Sequence, residues 1–331
     1  MENDHPKVNF GKTGVLLINL GTPDSTSWWD IRKYLKEFLS DQRVIEVNPV
    51  IWQIILNLFI LTFRPSKTAH AYKKIWRKNT NESPLLYFTR SQAEKLNSKV
   101  GNENIVVDFA MRYGNPSIKL KLNMLKDAGC ENIIILPLYP QYAAATTATV
   151  CDEVYRTLMK MRWQPSLQII PHYESEPIYI DALIKSIKKK LEIINWKPDL
   201  IITSYHGIPK KYFDKGDPYH CYCHKTTRLI REKFNQIDMQ LTFQSRFGPQ
   251  EWLTPYTDKT LENLPSKGIR NLLVICPGFA SDCVETLEEI NMAGRETFIK
   301  NGGENFDLIP CLNDNFEHIN LFQNLIKRYI H

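Results

Sequence analysis

A chain of 331 residues is too long for one ordinary domain and suits two, and its 43% hydrophobic and 24% charged residues are those of a soluble globular protein with full-sized cores. The net charge of +6 is spread among Asp and Glu rather than gathered into a patch, which argues against a nucleic-acid partner while suiting an anionic membrane surface. Seven cysteines without framework spacing exclude a disulfide scaffold and fit a reducing cytosol.

The opening MENDHPKVNFGKTG has neither an apolar h-region nor a small-residue cleavage site, so no signal peptide is expected and the location read from it is cytoplasmic. The first strand is TGVLLINL (13–20), ending at Gly21-Thr22-Pro23. Next comes VIWQIILNLFILTF (50–63), where Gln53, Asn57 and Arg64 share one helical stripe and the remaining surface is almost wholly apolar. As a helix these 14 residues span about 21 Å, short of the roughly 30 Å hydrocarbon core, so the run is not expected to cross a bilayer. Two readings stand: a buried core helix, or an apolar lip lying on a membrane or over a large apolar ligand.

Strands follow at NIVVDFAM (104–111), NIIILPLY (132–139) and LQIIP (167–171). An amphipathic helix over 177–194 turns KKK (188–190) to solvent. Further strands are DLIITSY (199–205), MQLTFQS (239–245), NLLVICPG (271–278) and FDLIP (306–310). The segments between them have helical periodicity and end at Gly. Strands this continuously apolar are covered on both faces, which predicts an α/β protein of two doubly wound, Rossmann-like domains with parallel four-stranded sheets and a cleft between them. The domains are 12–172, carrying the apolar run 50–63, and 173–310; a last helix within 311–331 packs back on the N-terminal domain.

Ligands of open α/β sheets bind outside the carboxyl ends of the strands. Those ends here are Gly21-Thr22-Pro23, Met111-Arg112-Tyr113, Tyr139-Pro140-Gln141-Tyr142, His206-Gly207, Gln244-Ser245-Arg246 and PGFASDCVETLEE (277–289). No glycine-rich phosphate loop is among them. In 277–289, Asp282 reads as a helix N-cap, after which Glu285 and Glu289 share a face and Glu288 points elsewhere. Glu residues in a first turn are often plain dipole partners. His206 at another strand end of the same half favours a common pocket for acid–base work or transient metal ligation. HCYCH (220–224) is a poor zinc or iron–sulfur site, because residues adjacent or two apart cannot easily close one tetrahedron and no second CxxC completes it.

SYHGIPKKYFDKGDPYHCYCHKT, FQSRFGPQEWLTPYTDKTL and GFASDCVETLEEI resemble ferrochelatase, of the bacterial type without a C-terminal iron–sulfur tail, and so do KTGVLLINLGTPDS, RPSKTAHAY and LPLYPQYAAATTAT. The likeness covers nearly the whole chain. It implies a chelatase-like fold and a lyase that inserts Fe²⁺ into protoporphyrin IX with release of two protons, forming haem b in the final step of haem biosynthesis. The family's paired residues match His206 and Glu285, as catalytic groups and metal ligands facing each other across the porphyrin; Glu289 continues a proton or metal path. Family porphyrin-pocket positions match Arg64, Tyr72, Ser83 and Tyr113. The run 50–63 corresponds to the lip over the pocket mouth, with peripheral contact at the cytoplasmic face of the membrane.

The resemblance further implies Fe²⁺ as a substrate, no permanently bound cofactor, and no iron–sulfur cluster, since the sequence stops at RYIH. Two departures stand out. Cys283 occupies a place where many relatives carry a His, and Ala293 one where relatives often carry a third acid, so the acidic path stops at Glu289 or detours. The alternatives are a coproporphyrin III ferrochelatase and a haem carrier that does not metallate.

Overall fold

The structure, a computed structural model, describes residues 10–330; residues 1–9, where a leader was sought, and His331 lie outside it. Among the described residues eight strands form two four-stranded, all-parallel sheets. The first holds β1 (Lys12–Thr22), β2 (Ile105–Gly114), β3 (Cys130–Pro137) and β4 (Ser166–Ile169) in the order β2-β1-β3-β4. The second repeats that permutation with β5 (Leu200–His206), β6 (Met239–Gln244), β7 (Asn271–Ile275) and β8 (Asn305–Ile309), in the order β6-β5-β7-β8. Each predicted strand has its counterpart, with ends moved by a few residues.

The burial pattern explains the apolar runs. Leu16 and Ile18 face one side of β1, into a cluster with Ile133, Ile135 and Val150. Val15 and Leu17 face the other. That second cluster does not stop at the N-terminal sheet: it continues through Ile134 and Leu136 to Ile201, Leu273 and Ile275 of the other sheet. Helices Pro177–Ile193 and Phe316–Lys327 contribute Leu183, Ile187, Phe322 and Ile326 to the same layer. One continuous core therefore joins the two halves. Helix Phe316–Lys327 packs against both helix Pro84–Val100 and helix Pro177–Ile193, a place shared between the halves rather than on the N-terminal one alone.

The apolar run 50–63 differs from its sequence reading in length. It opens a continuous helix, Pro49–Ile75, of 27 residues, which is long and apolar enough to cross a membrane by length and composition. At about 1.5 Å per residue it extends some 40 Å, so shortness is no argument against spanning. Its second half answers the question differently. That half carries Arg64, Lys67, Lys73 and Lys74, and it buries Leu61, Pro65, Ala69, Tyr72 and Ile75 against the protein. The apolar run 50–63 itself leaves Val50 72% and Phe63 73% exposed, with Ile51, Ile54, Leu58 and Phe59 also open. Only Leu56 and Leu61 anchor it fully. The buried-core reading of 50–63 is thereby overturned; the segment is an exposed apolar surface.

Candidate active site between the two sheets

The shared strand permutation creates a switch point between β5 and β7, where successive connections leave in opposite directions and ligands of such sheets sit. His206 is the last residue of β5. Glu285 begins the helix reached from β7. Both come from the two strands that flank the switch.

His206 is half-buried, and its Nδ1 lies 2.7 Å from the Gly207 carbonyl oxygen. A carbonyl only accepts, so Nδ1 carries a proton, and in the neutral ring the lone pair is on Nε2. Gly207 is fastened in turn: its N–H donates to the Gln244 carbonyl at 2.8 Å.

The helix bearing the acids is a π-helix over Glu285–Gly294, continued by an α-helix over Arg295–Lys300. Such turns are rare and concentrate at functional sites. The expected division of the acids appears: Glu288 turns outward to Lys74 at 2.8 Å, while Glu289 turns inward to Ser245. Ser245 donates twice, N–H to Oε1 at 2.7 Å and Oγ–H to Oε2 at 2.5 Å. It adopts φ +66°, a left-handed conformation costly for a residue with a side chain. Burial nevertheless raises the Glu289 pKa; the Ser245 bonds and nearby His206 pull it down, and Glu285 pushes it up.

Asp282 is not the helix N-cap read from the sequence. The helix starts after Val284, and Asp282 has become a buried tie: Oδ1 accepts from the Thr286 hydroxyl at 3.1 Å, and Oδ2 from the Asn313 amide at 2.7 Å. An N-cap needs a free backbone N–H in the first turn; here the returning loop after β8 captured the carboxylate first.

Glu285 opens into a cleft lined from both halves by Leu20, Gly21, Tyr34, Tyr72, Ser83 and Cys283, among others. Gly21 is obligatory there: at φ +117°, a Cβ would fall 1.8 Å from the Tyr113 carbonyl oxygen. Ser83 caps helix Pro84–Val100, its Oγ accepting from Leu86 N at 3.1 Å, which leaves its hydroxyl proton free to donate. Burial raises the pKa of Tyr34, Tyr72 and Cys283, and the Glu285 charge adds to each, so all three remain protonated donors. Cys283 therefore carries no thiolate where relatives were expected to carry a His.

The remaining sequence candidates fall elsewhere. Arg64 lies over the Phe247 ring at 5.1 Å from its centroid, bridging the halves beside the cleft; burial lowers its pKa while Tyr34 and Glu285 raise it. Tyr113 is fully buried, with its hydroxyl donating to Asp41 at 3.0 Å, so it backs the cleft and does not line it. In HCYCH, Cys221 is exposed and Cys223 buried, two positions on opposite sides of helix Tyr219–Lys233. Among the described residues no three His, Cys, Asp or Glu side chains form a ready ion cage. Sequence reasoning gave Gln244 and Ser245 no role, although both stand at a strand end, and it missed Tyr34, whose helix carried no chemical signal.

The ferrochelatase family model matches residues 12–330. The ferrochelatase of Allorhizobium ampelinum is 55% identical over 331 residues, covering 99% of this chain and 96% of that protein. The one from Agrobacterium fabrum is 53% identical over 328 residues, covering 98% and 95%. Among solved structures, SirB from Bacillus subtilis with Fe³⁺ gives a TM-score of 0.58 at 12% identity, covering 96% of this chain and 95% of that one. CbiX of denitrifying bacteria gives 0.53 at 12% identity, covering 96% and 100%. At such identities the likeness is one of fold.

Proposed function

The chain belongs to the ferrochelatase family, lyases that place ferrous iron in a porphyrin, and from that premise we propose that it metallates protoporphyrin IX between His206 and Glu285. The observation that carries the reading is that His206 and Glu285 come from the two strands flanking the switch point, with both acting on the same Glu289 carboxyl, and that Glu285 opens into a cleft walled largely by aromatic and apolar side chains.

The reaction removes two pyrrole protons and admits one Fe²⁺. With Nδ1–H tied to Gly207, Nε2 of His206 is free to accept a proton or to donate its lone pair to iron. Glu285 on the other side of the ring offers a hard oxygen ligand, and Glu289, its pKa raised by burial, takes a proton more readily than an exposed carboxylate. The Ser83 hydroxyl in the cleft wall and Arg64, held over Phe247, suit the propionates, and Tyr72 lines the wall. Fe²⁺ enters as substrate and leaves in product. The reading needs no resident cofactor and no iron–sulfur cluster.

The exposed apolar face of residues 50–63 favours a porphyrin with two vinyl groups over coproporphyrin III with its four propionates, and suits peripheral contact of a cytoplasmic enzyme with a membrane. A carrier would need an axial ligand but no buried acid behind it, so Glu289 argues for metallation. The test follows Fe²⁺-dependent loss of the metal-free porphyrin spectrum, with both porphyrins side by side. Protoporphyrin IX should turn over faster, and His206→Ala should lower the rate by about 10²–10⁴-fold. Preference for coproporphyrin III would reverse the substrate assignment. His206→Ala retaining about a tenth of the activity or more would end the role given to that residue.

A further inference from the structure

We propose that Gln244 is a positioning residue that fixes the separation between His206 and Glu285; the inference rests on the opposed-pair reading above. Gln244 closes β6 as the register partner of His206 and is 3% exposed. Its Nε2–H donates to the Glu285 carbonyl oxygen at 2.9 Å. Its Oε1 accepts from Ser204 Oγ at 2.6 Å and from the Cys276 thiol at 3.8 Å. Its backbone carbonyl accepts from Gly207 N–H at 2.8 Å. One residue thus holds the strand on both sides of His206, at Ser204 and Gly207, and also the first turn of the helix that presents Glu285.

The amide cannot serve the two elements the other way round. Ser204 Oγ lies 3.1 Å from Thr257 Oγ1, which donates to Thr242 Oγ1 at 2.8 Å; Ser204, Thr242 and Thr257 are all buried. The Ser204 hydroxyl can donate to the amide oxygen or to Thr257, so the orientation of the amide is fixed from its other end. There the nitrogen faces Glu285, whose carbonyl can only accept. An isosteric apolar side chain would fill the volume but release the helix from the strand, and a shift of about 1 Å at a catalytic group costs up to about 10²-fold in rate.

The experiment uses the full chain with protoporphyrin IX and Fe²⁺, with kcat expressed per folded enzyme from parallel thermal melts. Gln244→Met should lower kcat about 10–100-fold with KM for porphyrin within about twofold of wild type. Gln244→Glu supplies the signature that plain packing would not. The introduced acid is buried beside Glu285 and Glu289, which raises its pKa. Protonated, it donates to the Glu285 carbonyl while accepting from Ser204; ionised, it cannot donate. Its kcat should approach wild type at low pH and fall as pH rises through that pKa, a limb absent from wild type and from Gln244→Met. Should Gln244→Met not fold, the Gln244→Glu profile decides alone. Wild-type kcat in Gln244→Met, or a Gln244→Glu profile parallel to wild type, overturns the proposal while His206→Ala remains inactive. An active His206→Ala overturns the opposed pair, and this proposal with it.

Discussion

Glu289 shows how the site alters a single residue. In an unfolded chain its carboxyl titrates near about 4.3, and burial in the fold raises that value in spite of two bonds from Ser245. Below the unfolded pKa both states hold the neutral carboxyl, and its contribution to stability is fully present. As pH climbs through the raised folded pKa, the native state must ionise a group that the unfolded chain ionises more readily, and that contribution is lost. Glu289→Gln has no such titration. The difference in urea midpoint should therefore move in favour of the variant as pH rises above about 4.3. A flat difference, or one moving the other way, would contradict the raised pKa. At this scale the placement of His206 at a strand end and of Glu285 and Glu289 on the helix after β7 was legible in the sequence, because strand ends and helical spacing are local patterns. The fates of Asp282 and Tyr113 were not local. Asn313 and Asp41, on segments remote in sequence, captured their polar ends.

Among the elements, helix Pro49–Ile75 departs furthest from a soluble protein's surface pattern. Ile54 and Leu58 are 55% and 63% exposed, and Ile55 is also open. Full burial of such a side chain contributes about 1.5–3 kcal/mol, so replacing all three with Ser should destabilise the fold by only ~2 kcal/mol, including the poorer helix propensity. Two effects are expected instead: a higher KM for protoporphyrin and weaker binding to anionic liposomes, measured by steady-state kinetics and co-sedimentation. Unchanged KM and liposome binding, accompanied by a large fall in Tm, would mean that these side chains serve packing alone. Apolarity announced this element in the sequence, but its full length was hidden, because the polar second half RPSKTAHAYKKI breaks the apolar pattern without breaking the helix. The π-helix was equally hidden. Its widened turn exceeds four residues, and Glu285 and Glu289 still lie near one line, so α-helical spacing pointed to the right face for a different geometry.

For the whole molecule, the apolar strands sufficed to read two doubly wound sheets, and the comparisons place them in the chelatase fold. The single core shared by both sheets was not readable, since a buried strand face looks the same whichever half covers it. That core holds the halves in fixed register, and polar contacts also join them: Lys74 with Glu288, Lys215 with Glu46, and the Tyr212 hydroxyl donating to the Val44 carbonyl at 3.0 Å. Both sides of the reacting ring must come from one such frame. The most direct test is a crystal structure with metal-free protoporphyrin IX bound. The macrocycle should lie between His206 and Glu285, with the imidazole nitrogen and the nearest carboxylate oxygen each about one van der Waals contact, roughly 3.5 Å, from its own face of the ring. A ring with both residues on one face, or bound away from either of them, would contradict the opposed pair.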